Sequence, residues 1–229
     1  MVSFVDYFTF SVGLHLAVFW SVAIFFYGVQ RHNAFEQCKL QKDSLNRHSD
    51  RTGRMFKHCL KTVLFNQWFV SIPQFAASYW FFSPRWNQLP DIFTIAFHMV
   101  LCLGMVEVGF YYSHRLFHSP FFYSRFHKWH HELKAPICIA ALYTHPIEHA
   151  VCNMLPVLIP PLLLGTHFWV MNAWFCMATL NTLVVHSGYN IPGLPDSRSH
   201  DLHHSHTFVN FGVLGILDHL HGTKAIEIK

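Results

Sequence analysis

Five long apolar stretches divide this sequence, and they leave it few ways to fold. Residues 8–29, FTFSVGLHLAVFWSVAIFFYGV, carry no Lys, Arg, Asp or Glu, and as a helix rising ~1.5 Å per residue they can cross a hydrocarbon core. Residues 62–82 are interrupted by Asn66, Gln67 and Pro73, so this run either spans or dips in and returns. Residues 91–112 form a third run with Glu107 near its end, where an ionisable group is costly unless paired with Arg115, drawn out to water or functional. Residues 150–164, with Pro156, Pro160 and Pro161, and residues 167–185 flank the helix-breaking Gly165. That pair is expected to form a hairpin that enters and leaves on one side. Charged residues make up only 12% of the chain, against about 25% in soluble proteins, which argues against a soluble domain. Little in the sequence alternates with period two over strand lengths. The expected fold is all-α, an integral membrane helical bundle with a cytosolic His-rich helical layer.

The polar connector between the first two runs sets the orientation. It carries Arg31, Lys39, Lys42, Arg47, Arg51, Arg54, Lys57 and Lys61 against Glu36, Asp43 and Asp50, so it is expected in the cytosol with the N-terminus on the other side. If the next two runs both span, the chain is cytosolic again at Ser113, and the later hairpin returns it there at His186. Residues 1–61 are read as a membrane anchor with its basic connector, and residues 62–229 as the functional domain. No short apolar core with a small-residue cleavage site marks a removable leader, so the first run is expected to remain as a signal anchor. A net charge of +4 without Lys/Arg runs and interleaved aromatics excludes a nucleic-acid partner. Cys38, Cys59, Cys102, Cys138, Cys152 and Cys176 are scattered, form no CxxC and are expected to be reduced.

Histidine is the unusual residue, with 20 copies against 16 Lys+Arg and 12 Asp+Glu. The stretch HRLFHSPFFYSRFHKWHHE places His114 and His118 four apart and His127, His130 and His131 at i, i+3 and i+4; SHDLHHSH repeats the second spacing with His200, His203 and His204. On a helix such residues share a face, so each cluster is expected to aim two or three imidazoles at one point. Many imidazoles with few carboxylates and no positioned cysteines suit iron, copper or zinc rather than calcium or magnesium. Eight exceed the needs of one four-coordinate ion, and two ions sharing a ring of histidines is the simplest account. A structural zinc site would not need them all. A redox metal that activates O2 against a C–H bond of a membrane lipid would.

Taken together, HRLFH, HKWHHE, APICIAALYTHPIEH, HSGYN, HDLHH and LDHLHGT resemble the fatty acid hydroxylase / sterol desaturase superfamily of integral membrane di-iron oxygenases. Within it the chain is most similar to the C4-methylsterol oxidases and the fatty acid hydroxylase domain-containing proteins, from about Val63 to Lys224. The resemblance implies metal ligands at His114, His118, His127, His130, His131, His200, His203 and His204, and at His186 as a ninth. Asn190 stands where some relatives carry a further histidine. His145 and Glu148 match an HPxE segment and are expected beside the ligands, either touching the site or orienting an imidazole. Asp201, Glu132 and Asp218 are further candidates to accept a hydrogen bond from a ligand's far nitrogen.

The resemblance further implies two non-haem iron ions, an endoplasmic reticulum membrane location and electrons from NAD(P)H through cytochrome b5 and its reductase. The sequence agrees in lacking a nucleotide-binding GxGxxG after a strand, a CxxCH and a cysteine set for an iron–sulfur cluster. Arg115, Arg125, Lys128 and Lys134 offer a positive surface for an acidic donor or for anionic lipid. The expected activity is monooxygenation of a lipid, a sterol C4-methyl group foremost. Hydroxylation of a fatty acyl chain or sphingolipid is the alternative, and an inactive metal-holding scaffold the reading from another class.

Overall fold

Ser3 opens the first helix by accepting a hydrogen bond from the Asp6 N–H, which satisfies one of the donors left free at a helix start. This helix, α1 (Phe4–Arg31), extends beyond both ends of the first apolar run. The structure, a computed structural model, describes residues 3–41, 54–82 and 88–225. Lys42, Arg47 and Arg51 of the basic connector lie outside the described residues.

From residue 54 the chain runs back along α1 as one rod: α2 (Arg54–Asn66), a π-helical turn (Gln67–Ser71) and α3 (Ile72–Phe82). The rod crosses the 61/62 division without a break. The run does not turn back on itself within residues 62–82. Cys59 and Val63 join a core with Phe26 near the end of α1, while Ser78 meets the Tyr7 hydroxyl at 2.7 Å near its start. Asn66 Nδ2 donates to the Leu142 and Thr144 carbonyls, and Ser71 meets His149 Nε2 at 2.8 Å. Among the described residues, four helical segments are long and apolar enough to cross a membrane: Phe4–Arg31, Ile92–Phe117, Pro146–Leu163 and Phe168–Val185. Trp80, Phe81, Phe93 and Ile24 stand exposed on them or on the rod, as residues facing lipid do.

Asp91 caps α4 (Ile92–Phe117) by accepting from the Phe93 and Thr94 N–H groups, and the helix continues past residue 112 through His114. The chain then crosses the end of the bundle as α5 (Pro120–Arg125) and two 3-10 segments, His127–Glu132 and Cys138–Leu142. It returns through α6 (Pro146–Glu148), a π-helical turn (His149–Met154) and α7 (Leu155–Leu163), turns at Gly165, and rises as α8 (Phe168–Val185). Gly165 has φ +56°, which favours glycine. The short α9 (Arg198–His206) and α10 (Ile216–Leu220) complete the layer.

The prolines of the fourth run do not break its helix, Leu155–Leu163. Pro161 has no N–H to give the Val157 carbonyl, and Trp174 of α8 supplies one instead, its indole Nε1 2.9 Å from that oxygen. Pro156 packs on Gly109 of α4, where an added Cβ would come within 3.3 Å of the ring. Trp174→Phe should therefore strand a buried carbonyl and lower stability by about 1–3 kcal/mol. An unchanged thermal midpoint in detergent would show that the indole bond contributes nothing.

Glu107 neither pairs with Arg115 nor reaches water. It is 3% exposed and accepts from the Val213, Leu214 and Leu217 N–H groups, while Arg115 donates to the Tyr111 hydroxyl. All six cysteines are free. The ends of α1, α4 and α8 meet at one end of the bundle, where Gln30 donates to the Ser187 carbonyl and Lys39 bridges to Tyr189. An even number of traverses between the two histidine stretches brings both to that end.

Candidate metal centre

At this end the nine singled-out histidines converge in two groups. One is His114, His118, His127, His131 and His203; the other is His130, His186, His200 and His204; within each the ring nitrogens lie within 4.8 Å of one another. Each sequence cluster aims at least two imidazoles at one point, as expected, but neither keeps all of its histidines in one group. On α9, at about 100° per residue, His200 and His204 differ by only ~40° in direction, whereas His203 diverges from His204 by a full ~100°. His203 accordingly joins the first group while its neighbours join the second. His130 makes the converse switch from a 3-10 segment rather than the α-helix its spacing suggested.

Hydrogen bonds on the far ring nitrogens decide which nitrogen is left to bind. A carbonyl oxygen only accepts, so a ring nitrogen facing one carries the proton. His114 Nδ1 donates to Phe211 O (2.9 Å), His203 Nδ1 to Val209 O (2.7 Å), His186 Nδ1 to Thr182 O (2.7 Å) and His130 Nδ1 to Tyr143 O (3.3 Å). The Nε2 atoms of His130 and His186 therefore both present lone pairs, yet lie 3.2 Å apart. Two lone pairs facing one another in a buried site repel unless a cation lies between them. The residues present thus fit metal ions, and their all-nitrogen chemistry fits the late divalent transition metals.

Burial keeps these rings neutral, the form that binds metal. Desolvation, with neighbouring imidazoles adding to it, holds His127, His130, His200, His203 and His204 well below the usual value, His131 at about 3 and His186 at about 4. Unfolded histidines take up protons near pH 6.5 and these do not, so the metal-free protein's stability is complete above about pH 6.5 and lost as pH falls toward 4. Its thermal midpoint should be lower at pH 5 than at pH 7.5. A midpoint that rises on acidification would contradict the buried neutral rings.

Of the neighbouring candidates, Glu148 alone meets a ligand: its Oε1 is 2.7 Å from His127 Nδ1. His145 instead caps α6, accepting from the Ile147 N–H, and packs on Phe126 and Trp129. Asn190 accepts from the Ser197 N–H and shapes the turn before α9. Asp201 accepts from Gln41, which ties the connector to α9; it follows His200 by one residue and so faces elsewhere. Glu132 accepts from the Tyr143 hydroxyl, and Asp218 from the Phe211 and Gly212 N–H groups. His149 bonds Ser71 within the bundle. The oxygens that do orient His114, His130, His186 and His203 are main-chain carbonyls, which leave no side-chain signature in a sequence. The only available hint was the closing LDHLHGT segment, whose Asp218 and Thr223 shape residues 209–212.

A cavity of about 360 Å³ leads from the histidines into the bundle. His114, His127, His130, His186 and His200 line one part of it, and Leu103, Val106, Phe110, Val157, Trp174 and Met177 the apolar remainder.

The fatty acid hydroxylase family model matches residues 99–223. Fatty acid hydroxylase domain-containing protein 2 of Homo sapiens is 45% identical over 174 residues, which cover 74% of this chain and 52% of that protein. Fatty acid hydroxylase ahd1 of Mycosarcoma maydis is 35% identical over 182 residues, 77% of this chain and 48% of its own. Methylsterol monooxygenase 1 of Rattus norvegicus is 34% identical over 169 residues, 67% of this chain and 56% of its own. The chain thus spans about half the length of these curated relatives. No solved structure matches it.

Proposed function

Because the chain belongs to the fatty acid hydroxylase family, we propose that it is a membrane-bound non-haem di-iron monooxygenase that hydroxylates a lipid, a sterol carrying a C4-methyl group. The observation that carries this reading is two adjacent groups of convergent neutral imidazoles opening on an apolar cavity within a membrane bundle. The first five-histidine group and the second four-histidine group would each hold one ion. A pair of irons bound there would supply the oxidising power to insert one oxygen atom of O2 into a C–H bond, the other leaving as water with two electrons and two protons.

The chain's own residues prepare the site for that chemistry. Main-chain carbonyls and Glu148 fix ring tautomers, so the ligands need no reorganisation when the site is filled. Leu103, Val106, Phe110 and Trp174 offer apolar contacts that position a hydrocarbon skeleton beside the histidines and keep water from it. Electrons would come from NAD(P)H through cytochrome b5 and its reductase. The docking face would be the histidine layer, where Arg115, Arg125, Lys128 and Lys134 are exposed.

The relative named as a fatty acid hydroxylase favours a second substrate, a fatty acyl chain or sphingolipid. Lipid profiling of cells with and without the protein separates the two. Accumulated 4-methylsterols on loss support the sterol, and missing hydroxylated acyl chains the alternative. If neither changes and the purified protein with cytochrome b5, its reductase and NADH consumes no O2 with any lipid tried, the scaffold reading replaces both.

The proposed location is the endoplasmic reticulum, with the histidine layer cytosolic. Glycosylation acceptors inserted near residue 45 or at the C-terminus should stay unmodified, as the basic connector dictates. Efficient modification at either position would overturn the topology.

A further inference from the structure

We infer that Glu107 and Asp218 are positioning residues for the five-histidine group, acting through the chain segment they hold; the inference rests on the metal reading above. Both carboxylates are buried, 3% and 1% exposed, where an unpartnered charge is costly. Their partners lie on one stretch. Phe211 and Gly212 N–H donate to Asp218 at 2.8 and 2.7 Å, and Val213 and Leu214 N–H to Glu107 at 2.9 and 2.7 Å. Four consecutive amides thus end on two carboxylates from α4 and α10. Gly212 sits between these with no spare room, for a Cβ there would be 2.9 Å from an oxygen of each.

The purpose of this clamp follows from peptide geometry. In a trans peptide the carbonyl of one residue and the N–H of the next lie in one plane and point opposite ways. Gly212 N–H bound to Asp218 therefore aims the Phe211 oxygen away from Asp218 and onto His114 Nδ1, 2.9 Å distant. The Val209 carbonyl, two residues upstream, works alike. Asn210 N–H donates to Thr223 O, and Thr223 in turn donates its hydroxyl to Asp218, so the Val209 oxygen is turned onto His203 Nδ1 at 2.7 Å. His114 and His203 belong to the five-histidine group. In the four-histidine group, His186 and His130 are held by the Thr182 and Tyr143 carbonyls, which the clamp does not touch. Disturbing the carboxylates should loosen one ion and spare the other.

The test is the rate at which a chelator removes iron from the full chain, purified in detergent and loaded anaerobically with Fe(II). His130→Ala, which empties the four-histidine group, identifies the phase that belongs to each ion. In Glu107→Gln, and in Gly212→Ala, which forces the carboxylates apart without changing charge, one ion should leave roughly 10- to 100-fold faster, and it should be the ion that His130→Ala retains. The other phase should match wild type. Tyr7→Phe, which loses a buried bond to Ser78 at the far end of the bundle, is the structural control and should lower thermal stability without moving either phase. Equal acceleration of both phases, or wild-type release in both variants, overturns the inference. Collapse of both variants with loss of both phases overturns it too, because it assigns the carboxylates to the bundle as a whole. A wild-type chain that binds no iron overturns the metal reading instead.

Discussion

Protein purified from an iron-replete host is expected to hold about two metal ions per chain, and His130→Ala about one, with hydroxylation abolished. His130 belongs to the group of four, so its loss leaves three donors and no spare. His203→Ala should behave differently in metal content and alike in turnover. The group of five keeps four donors without His203, so its ion should bind more weakly rather than disappear. Turnover should nonetheless fall below detection in both, since the proposed chemistry draws on the two ions together. The two residues sit in like-spaced HxxHH boxes, so the boxes by themselves give no reason for the difference in content. Metal analysis by mass spectrometry beside lipid-dependent O2 uptake measures both quantities. Full occupancy and full activity in both variants would sink the assignment of these histidines as ligands.

The second large effect is expected at Glu148, which is 2% exposed and 2.7 Å from His127 Nδ1. Removing its carboxylate by Glu148→Ala leaves a buried N–H without an acceptor, at a cost of about 1–3 kcal/mol. It also frees the His127 ring to rotate, and such partners are worth roughly 10- to 100-fold in metal affinity. Glu148→Gln keeps one oxygen that can accept the same proton, so it should retain most of the affinity. The contrast between the two variants is the measurement. Equal loss in both would mean that the negative charge, and not the hydrogen bond, is what His127 needs.

The helices and the histidine pairs follow from local pattern alone. Apolar runs of spanning length become helices in lipid because only local hydrogen bonds can satisfy the backbone there, and that requirement is written in the run itself. Histidines four apart meet for an equally local reason, and the pairs His114/His118, His127/His131 and His200/His204 each stay together in one group. Everything that depended on distant partners was decided by the tertiary structure. His130 and His203 each cross to the group opposite their box neighbours, because the direction of a ring depends on what the rest of the layer places around it. Pro161 sits within a continuous helix because Trp174 serves the Val157 carbonyl. Glu107, costly in an apolar run, holds amides more than a hundred residues away, at Val213 and Leu214. The oxygens that fix His114, His130, His186 and His203 belong to the main chain, which is the same at every position. Only folding gives one carbonyl a role that another lacks.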